Sequence, residues 1–242
     1  MLSKNQLKQV KLLEQKKHRQ QTGLFVAEGP KVVGDLFRCG FKAHVVYATT
    51  DYKRPNNVDC VEITADELRK LSFLQHPQQV LAVFYMPRLN EIPEPQGLCL
   101  ALDGVQDPGN LGTIIRIADW FGIETIYCSQ DTADAWNPKV VQATMGSIAR
   151  VNIVYTQLKE LLKKSSLPIY GTLLDGENVY SKNLSADGII VMGNEGNGIS
   201  ADVREIVTEK LLIPSYRNGD TAESLNVAIA TAIICAEFRR RR

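Results

Sequence analysis

The chain has 242 residues, 44% of them hydrophobic, enough to bury a sizeable core in one large domain or two small ones. No stretch is long or apolar enough to cross a bilayer, and the start lacks the apolar segment of a secretory signal. Cys39, Cys60, Cys99, Cys128 and Cys235 are odd in number, scattered and without a Cys-x-x-Cys pair, which points to reduced thiols in a cytoplasm and argues against a structural zinc site.

The net charge of +1 conceals an uneven distribution. Lys4, Lys8, Lys11, Lys16, Lys17 and Arg19 crowd the N-terminal region, Arg239, Arg240, Arg241 and Arg242 close the chain, and Glu14 is the first acid before Glu28. Two basic ends on a nearly neutral chain suggest contact with a polyanion. A first helix is expected from Ser3, whose hydroxyl and Gln6 stand at capping-box spacing, as far as Gly23, with Leu7, Val10 and Leu13 on its apolar face. A strand at 24–27 follows. Pro30 then opens a helix that buries Val32, Val33, Leu36 and Phe37 and stops at Gly40. A strand at 45–48, a helix capped by Thr64 and Glu67, and a strand at 80–84 complete a small α/β unit. Pro87, Pro93 and Pro95 break the periodicity and mark a boundary. The division read here is 1–90, a linker at 91–97, and 98–242.

Beyond the boundary, apolar runs at 98–102, 125–128, 169–174, 188–192 and 211–213 alternate with helical segments, as in a largely parallel sheet covered on both faces. The last helix is expected to bury Leu225, Ala228, Ile229, Ala232, Ile233 and Ala236 against the sheet or a second subunit. Three polar, glycine-marked segments stand where strand-like runs meet loops or helices, the positions at which open α/β sheets bind ligands. The first is Asn110-Leu-Gly112-Thr-Ile-Ile-Arg116, with Asn110 expected as the N-cap of a helix reaching Gly122 and Leu111, Ile114, Ile115 and Ala118 facing inward. Arg116 follows Gly112 by one helical turn and leans toward the N-terminus, where free amides and a guanidinium would suit a phosphate. The second is Gly193-Asn194-Glu195-Gly196-Asn197-Gly198, which matches neither the dinucleotide fingerprint nor the phosphate loop. The third is Ile213-Pro214, followed by Glu223-Ser224-Leu225-Asn226. Asn110, Ser224 and Asn226 all have a plain alternative reading as capping residues.

In this order and spacing, the three segments closely resemble the motifs of the SpoU (TrmH-type) RNA ribose 2'-O-methyltransferases of the SPOUT superfamily, over residues 98–238. The N-terminal part, with Lys16-Lys17-His18-Arg19 ahead of Phe25-Val26-Ala27-Glu28-Gly29, resembles the L30e-like substrate-binding domain of some members. The resemblance implies a C-terminal domain tied in a deep trefoil knot, a feature that the rarity of threaded chains would otherwise exclude. It also implies a homodimer and S-adenosylmethionine as cofactor. The positions matching the family's cofactor contacts are Thr172, Leu173, Gly193, Asn194, Gly198, Ile213, Pro214 and Leu225. Arg116, Asn110, Glu195, Ser224 and Asn226 match its catalytic and substrate-facing positions. No metal is implied. The loop 215–222 departs from the pattern, being longer and lacking the Met after Pro214.

A ribose hydroxyl is a weak nucleophile and must be held in line with the methyl it attacks. None of the three segments contains a His or Cys, so the usual bases are missing; the residue the resemblance points to is Arg116, expected to bind the adjacent phosphate and steady the developing alkoxide, with the proton removed by a transiently neutral Arg116 or by water. Asn110 and Asn226 then orient the ribose and the loop, while Glu195 orders the second segment. Ribosomal RNA, 23S-type, is the expected substrate because the appended N-terminal domain resembles those of rRNA-directed members. Transfer RNA, or a catalytically silent RNA-binding assembly factor on the same fold, are the alternatives.

Overall fold

The structure, a computed structural model, describes residues 2–55, 58–88, 91–217 and 224–240. Ser3 accepts from the Gln6 N–H and Gln6 reaches back to the Ser3 N–H, so the capping box opens α1 (Lys4–Leu12) where expected. The expected single helix is instead two, because the chain breaks at residues 13–15 before α2 (Lys16–Thr22), which Gly23 ends at φ 66°. Arg19 holds this break together: its Nη1 donates at 2.7 Å to the carbonyls of both Leu13 and Glu14.

Then come β1 (Leu24–Glu28), α3 (Pro30–Arg38), β2 (Ala43–Ala48), β3 (Val61–Glu62), α4 (Ala65–Leu71) and β4 (Val80–Tyr85). Thr64 and Glu67 form the expected capping box at α4. The strands make a sheet in the order β1-β4-β2-β3, antiparallel except for the short β2–β3 pair. One face packs on Val10, Leu13, Leu68 and Leu71.

The second stretch runs β5 (Leu98–Asp103), α5 (Pro108–Trp120), β6 (Thr125–Cys128), α6 (Pro138–Ala143), a 3-10 turn at Ser147–Ala149, β7 (Asn152–Tyr155), α7 (Leu158–Lys164), β8 (Ile169–Asn178), β9 (Gly188–Gly193), α8 (Ala201–Arg204), β10 (Glu209–Leu212) and α9 (Val227–Arg240). Six of these strands pair in the order β10-β8-β9-β5-β6-β7, every pair parallel. Their C-terminal ends therefore share one edge of the sheet.

The chain divides into two compact units, and one segment falls differently from the reading at 98–242. Residues 134–149, which carry α6 and the 3-10 turn, belong with 1–89; the other unit is 90–133 with 150–242. In the first unit the Trp136 ring lies 4.6 Å from Phe25, and Arg19 Nε donates to Asp134 at 3.2 Å. Asp134 is in the inserted segment, and Arg19 is only 1% exposed. Arg19 is thus a buried structural cation and not part of a basic surface. Lys11 is also engaged, donating to the Ser72 carbonyl at 2.6 Å, whereas Lys4, Lys8, Lys16 and Lys17 are exposed.

At the other end of the chain, Arg239 donates to the carbonyls of Phe121 and Gly122, and Arg240 pairs with Glu237. Arg241 and Arg242 lie outside the described residues. The expected stripe of α9 is corrected in part. Val227, Ala228, Thr231, Ile234, Cys235 and Phe238 are the buried face, whereas Leu225, Ile229 and Ala236 are exposed and Ala232 and Ile233 half-buried. Among the described residues, no helix is long and apolar enough to cross a membrane.

Candidate active site

The described residues of all three polar segments lie at the C-terminal edge of the parallel sheet. Strand β5 ends at Asp103, which pairs with Gly193 at the end of β9. The loop after β5 turns at Gly104 and enters α5, whose N-cap is Asp107 and not Asn110. Pro108 takes the first helical position, where its missing N–H costs nothing, and Asp107 Oδ1 accepts from the Asn110 N–H at 2.7 Å. An Asp directly before a Pro is the sequence signal that identifies this cap. The helix ends at Trp120, two residues short of Gly122, with Leu111, Ile114, Ile115 and Ala118 buried as expected.

With capping done by Asp107, the Asn110 carboxamide is spare. Its Nδ2 donates to Glu195 Oε1 at 2.9 Å, and its Oδ1 accepts from Asn226 Nδ2 at 2.8 Å. Glu195 also accepts from the Gln106 and Asp107 N–H groups, each at 3.2 Å. Burial alone would raise the Glu195 carboxyl, but the hydrogen bonds from Asn110, Gln106 and Asp107 outweigh it and hold the group below its ordinary 4.5. Asn226 Oδ1 meanwhile accepts from the Ala228 and Ile229 N–H groups, opening α9. One carboxylate and two carboxamides from three distant segments thus form a continuous chain of hydrogen bonds.

Further contacts clamp the loop after β9. Asn194 Nδ2 donates to the Gly104 carbonyl at 2.7 Å, and its Oδ1 accepts from the Gly196 and Asn197 N–H groups. Asp103 accepts from the Ser200 N–H at 2.7 Å. The Asn194 side chain is spent on this clamp, and its backbone N–H and C=O are paired with those of Gly198 at 2.9 and 3.0 Å. Gly193 is pressed so closely against the turn that a Cβ would stand 2.3 Å from the Gly198 carbonyl carbon. Ser129 steadies the far side of the turn by accepting from the Gly104 N–H at 2.9 Å. Asp103, Asp107 and Ser129 were not among the residues expected from the sequence.

Thr172 and Leu173 lie where β8 leaves its register with β10: Lys210 pairs with Gly171 and Leu211 with Glu177, so residues 172–176 loop out. The Thr172 hydroxyl donates to the Val191 carbonyl at 3.0 Å. Strand β10 stops at Leu212, so Ile213 and Pro214, expected inside the strand, follow it as half-buried residues. Arg116 is exposed, about 9 Å along the helix axis from Asn110. It forms no hydrogen bond or ion pair with another described residue. Ser224 is exposed and bonds to no described residue, Leu225 is 51% exposed, and Glu223 and residues 218–222 lie outside the described part.

The SpoU rRNA methylase family model matches residues 97–236. The chain belongs to the SpoU family. An MRM3-like substrate binding domain matches residues 4–82. The 23S rRNA (guanosine(2553)-2'-O)-methyltransferase RlmP of Bacillus subtilis is 32% identical over 98% of this chain and 97% of its own. A TrmH-family protein from Porphyromonas gingivalis is 40% identical, with TM-score 0.90 over the full length of both chains. The AdoMet-bound rRNA methyltransferase from Sinorhizobium meliloti is 29% identical, with TM-score 0.86 over 100% of this chain and 96% of that one. In this SpoU chain the hydrogen-bonded set and the clamp fix the backbone at the strand ends, while Arg116 bonds to no other described residue. The arrangement can orient a polar substrate and offers a guanidinium to an anion.

Proposed function

We propose that the chain methylates a ribose 2'-hydroxyl of ribosomal RNA, 23S-type, with S-adenosylmethionine as donor. The observation that carries this reading is the Asn110–Glu195–Asn226 set at the sheet edge, with the exposed Arg116 on the same helix as Asn110. The residues around the strand ends suit the cofactor. Leu173, Ile213, Pro214 and Leu225 are incompletely buried apolar groups that would cover an adenine; the backbones of Thr172 and Gly193, and the second lone pairs of the mutually paired Asn194 and Gly198 carbonyls, would meet its polar edges. When bound, the cofactor supplies an electrophilic methyl carried on a sulfonium. Arg116 binds the phosphate beside the target ribose and stabilises the developing alkoxide. Asn110 and Asn226 orient the sugar, Ser224 stands beside them on the substrate side, and Glu195 orders the second segment. Proton removal falls to water or to Arg116 itself.

The finer organisation follows the same reading. The second unit is tied as a trefoil knot, the first is an L30e-like RNA-binding unit using Lys4, Lys8, Lys16 and Lys17, and the enzyme works in the cytoplasm as a homodimer. Supporting dimerisation, α9 and the residue Leu225 ahead of it carry a second apolar face that the described residues leave exposed at Leu225, Ile229 and Ala236 and half-buried at Ala232 and Ile233, and Trp120 is 85% exposed on the adjoining α5.

Transfer of labelled methyl to unmodified ribosomal RNA and, in parallel, to unmodified transfer RNA tests the reading. Label at one alkali-resistant ribose of ribosomal RNA is the expected result. Label confined to transfer RNA moves the substrate, and label in neither refutes the activity.

A further inference from the structure

Strand β4 is buried from Val80 to Phe84, yet its last residue, Tyr85, is 48% exposed. The partner strand carries a bulge at this point. Ala43 pairs with Phe84 and Val45 with Val83, leaving His44 as the extra residue. A bulge re-aims the side chain it carries. His44 Nδ1 comes to 3.0 Å from the Tyr85 hydroxyl, with the two rings edge to face at 5.6 Å. The phenol is therefore tethered at its tip while half of its surface stays open.

The surroundings carry one sign of charge. The Tyr85 N–H donates to the Lys42 carbonyl at 3.0 Å, which sets Lys42 opposite Tyr85 in the ladder, and Arg88 follows three residues on; both cations are exposed. The Met86 N–H donates to the Gly23 carbonyl and brings in the end of α2. Residues 20–25, 41–46 and 84–88, the segments meeting here, contain no Asp or Glu. A fixed aromatic face between cations matches a base with phosphates on either side. Bases inside a duplex have no free face, so the fit is to an unpaired one.

We propose that Tyr85, tethered by His44 and flanked by Lys42 and Arg88, stacks an unpaired base of the substrate RNA. This rests on the reading of the chain as an RNA methyltransferase and names the first unit's means of recognition. The residues belong to the first unit and none of them is part of the three motifs, which lie in the second, so affinity for S-adenosylmethionine is expected to survive their substitution.

The test uses the full chain and unmodified 23S rRNA fragments carrying 2-aminopurine at unpaired positions, read by fluorescence quenching and anisotropy. Tyr85→Ala is expected to weaken RNA binding about tenfold and to abolish the quench at one position, with affinity for S-adenosylmethionine unchanged. Tyr85→Phe, which keeps the ring, retains the quench. If Tyr85→Ala does not fold, Lys42→Ala combined with Arg88→Ala serves instead. It should flatten the dependence of log affinity on log salt by roughly 1.4, the value for two lost phosphate contacts to a single strand. Unchanged binding and quenching in Tyr85→Ala, or an unchanged salt slope in the double variant, overturns the inference while wild-type methylation leaves the enzyme reading standing. A wild-type chain that neither binds nor methylates RNA overturns both.

Discussion

Arg19 and Arg116 carry the same guanidinium into opposite surroundings. Arg19 is buried against Asp134 and two carbonyls, so removing it strands a carboxylate only 14% exposed and frees the break between α1 and α2. Arg19→Ala is expected to cost about 3 kcal/mol or more in urea unfolding, the usual scale for breaking one side of a buried pair. Arg116, open to solvent, contributes little to stability. Arg116→Lys is expected to keep the melting midpoint and cofactor affinity but to lower turnover on the order of 100-fold, because an ammonium lacks the planar fork. Near-normal turnover would remove the need for that fork. Glu195 provides a pH test. Its folded value is depressed, so the stabilisation it gives the loop is fully present above 4.5 and is lost as pH falls through the folded value. Hydrogen exchange of the Gln106 and Asp107 amides should accelerate across that window, and Glu195→Gln should remove the transition.

At the scale of elements, legibility depended on whether a pattern had one physical reading. Capping boxes at Ser3 and Thr64 were readable because each satisfies two orphan amides at fixed spacing. The cap of α5 was misplaced because several polar residues before a helix compete for one role; Asp107 wins through its neighbour Pro108, and this releases Asn110 for the site. The break between α1 and α2 is held by Arg19, whose carboxylate partner Asp134 is remote in sequence, so its burial there is not marked by a local pattern. Strand β7 was not expected, since its short run, Asn152–Tyr155, carries little signal of its own. Helix α9 is apolar on more than one side, and periodicity alone does not say which side meets the sheet. Its outer row gives a direct test of assembly. Ile229→Asp should shift the sedimenting species from dimer to monomer, and an unchanged sedimentation coefficient would detach that row from dimerisation.

For the whole molecule, the feature least visible in the sequence is the composition of the first unit. Its core combines Phe25 with Trp136, residues separated by most of β1 to α6, so removing residues 1–90 leaves α6 without its packing partner. Trp136 is buried and Trp120 is largely exposed, and they are the two tryptophans of the chain. Deletion of 1–90 should therefore shift tryptophan emission to the red as Trp136 meets water. An unshifted spectrum would mean that residues 134–149 find burial without the first unit. A loss of RNA binding in the deleted chain would then have to be separated from this disturbance, which the point substitutions at Tyr85 do.

The two-part make-up of that unit also sets a timetable for synthesis. Domains ordinarily fold as they leave the ribosome, N-terminal first. Here the first 89 residues emerge without Asp134 or Trp136, so Arg19 lacks its carboxylate and Phe25 one of its ring partners until the inserted segment is out. By then β5 and β6 of the other unit have already appeared. A nascent chain stalled before residue 134 should be more open to protease around α1 and α2 than one stalled after 149, although both contain the same N-terminal sequence.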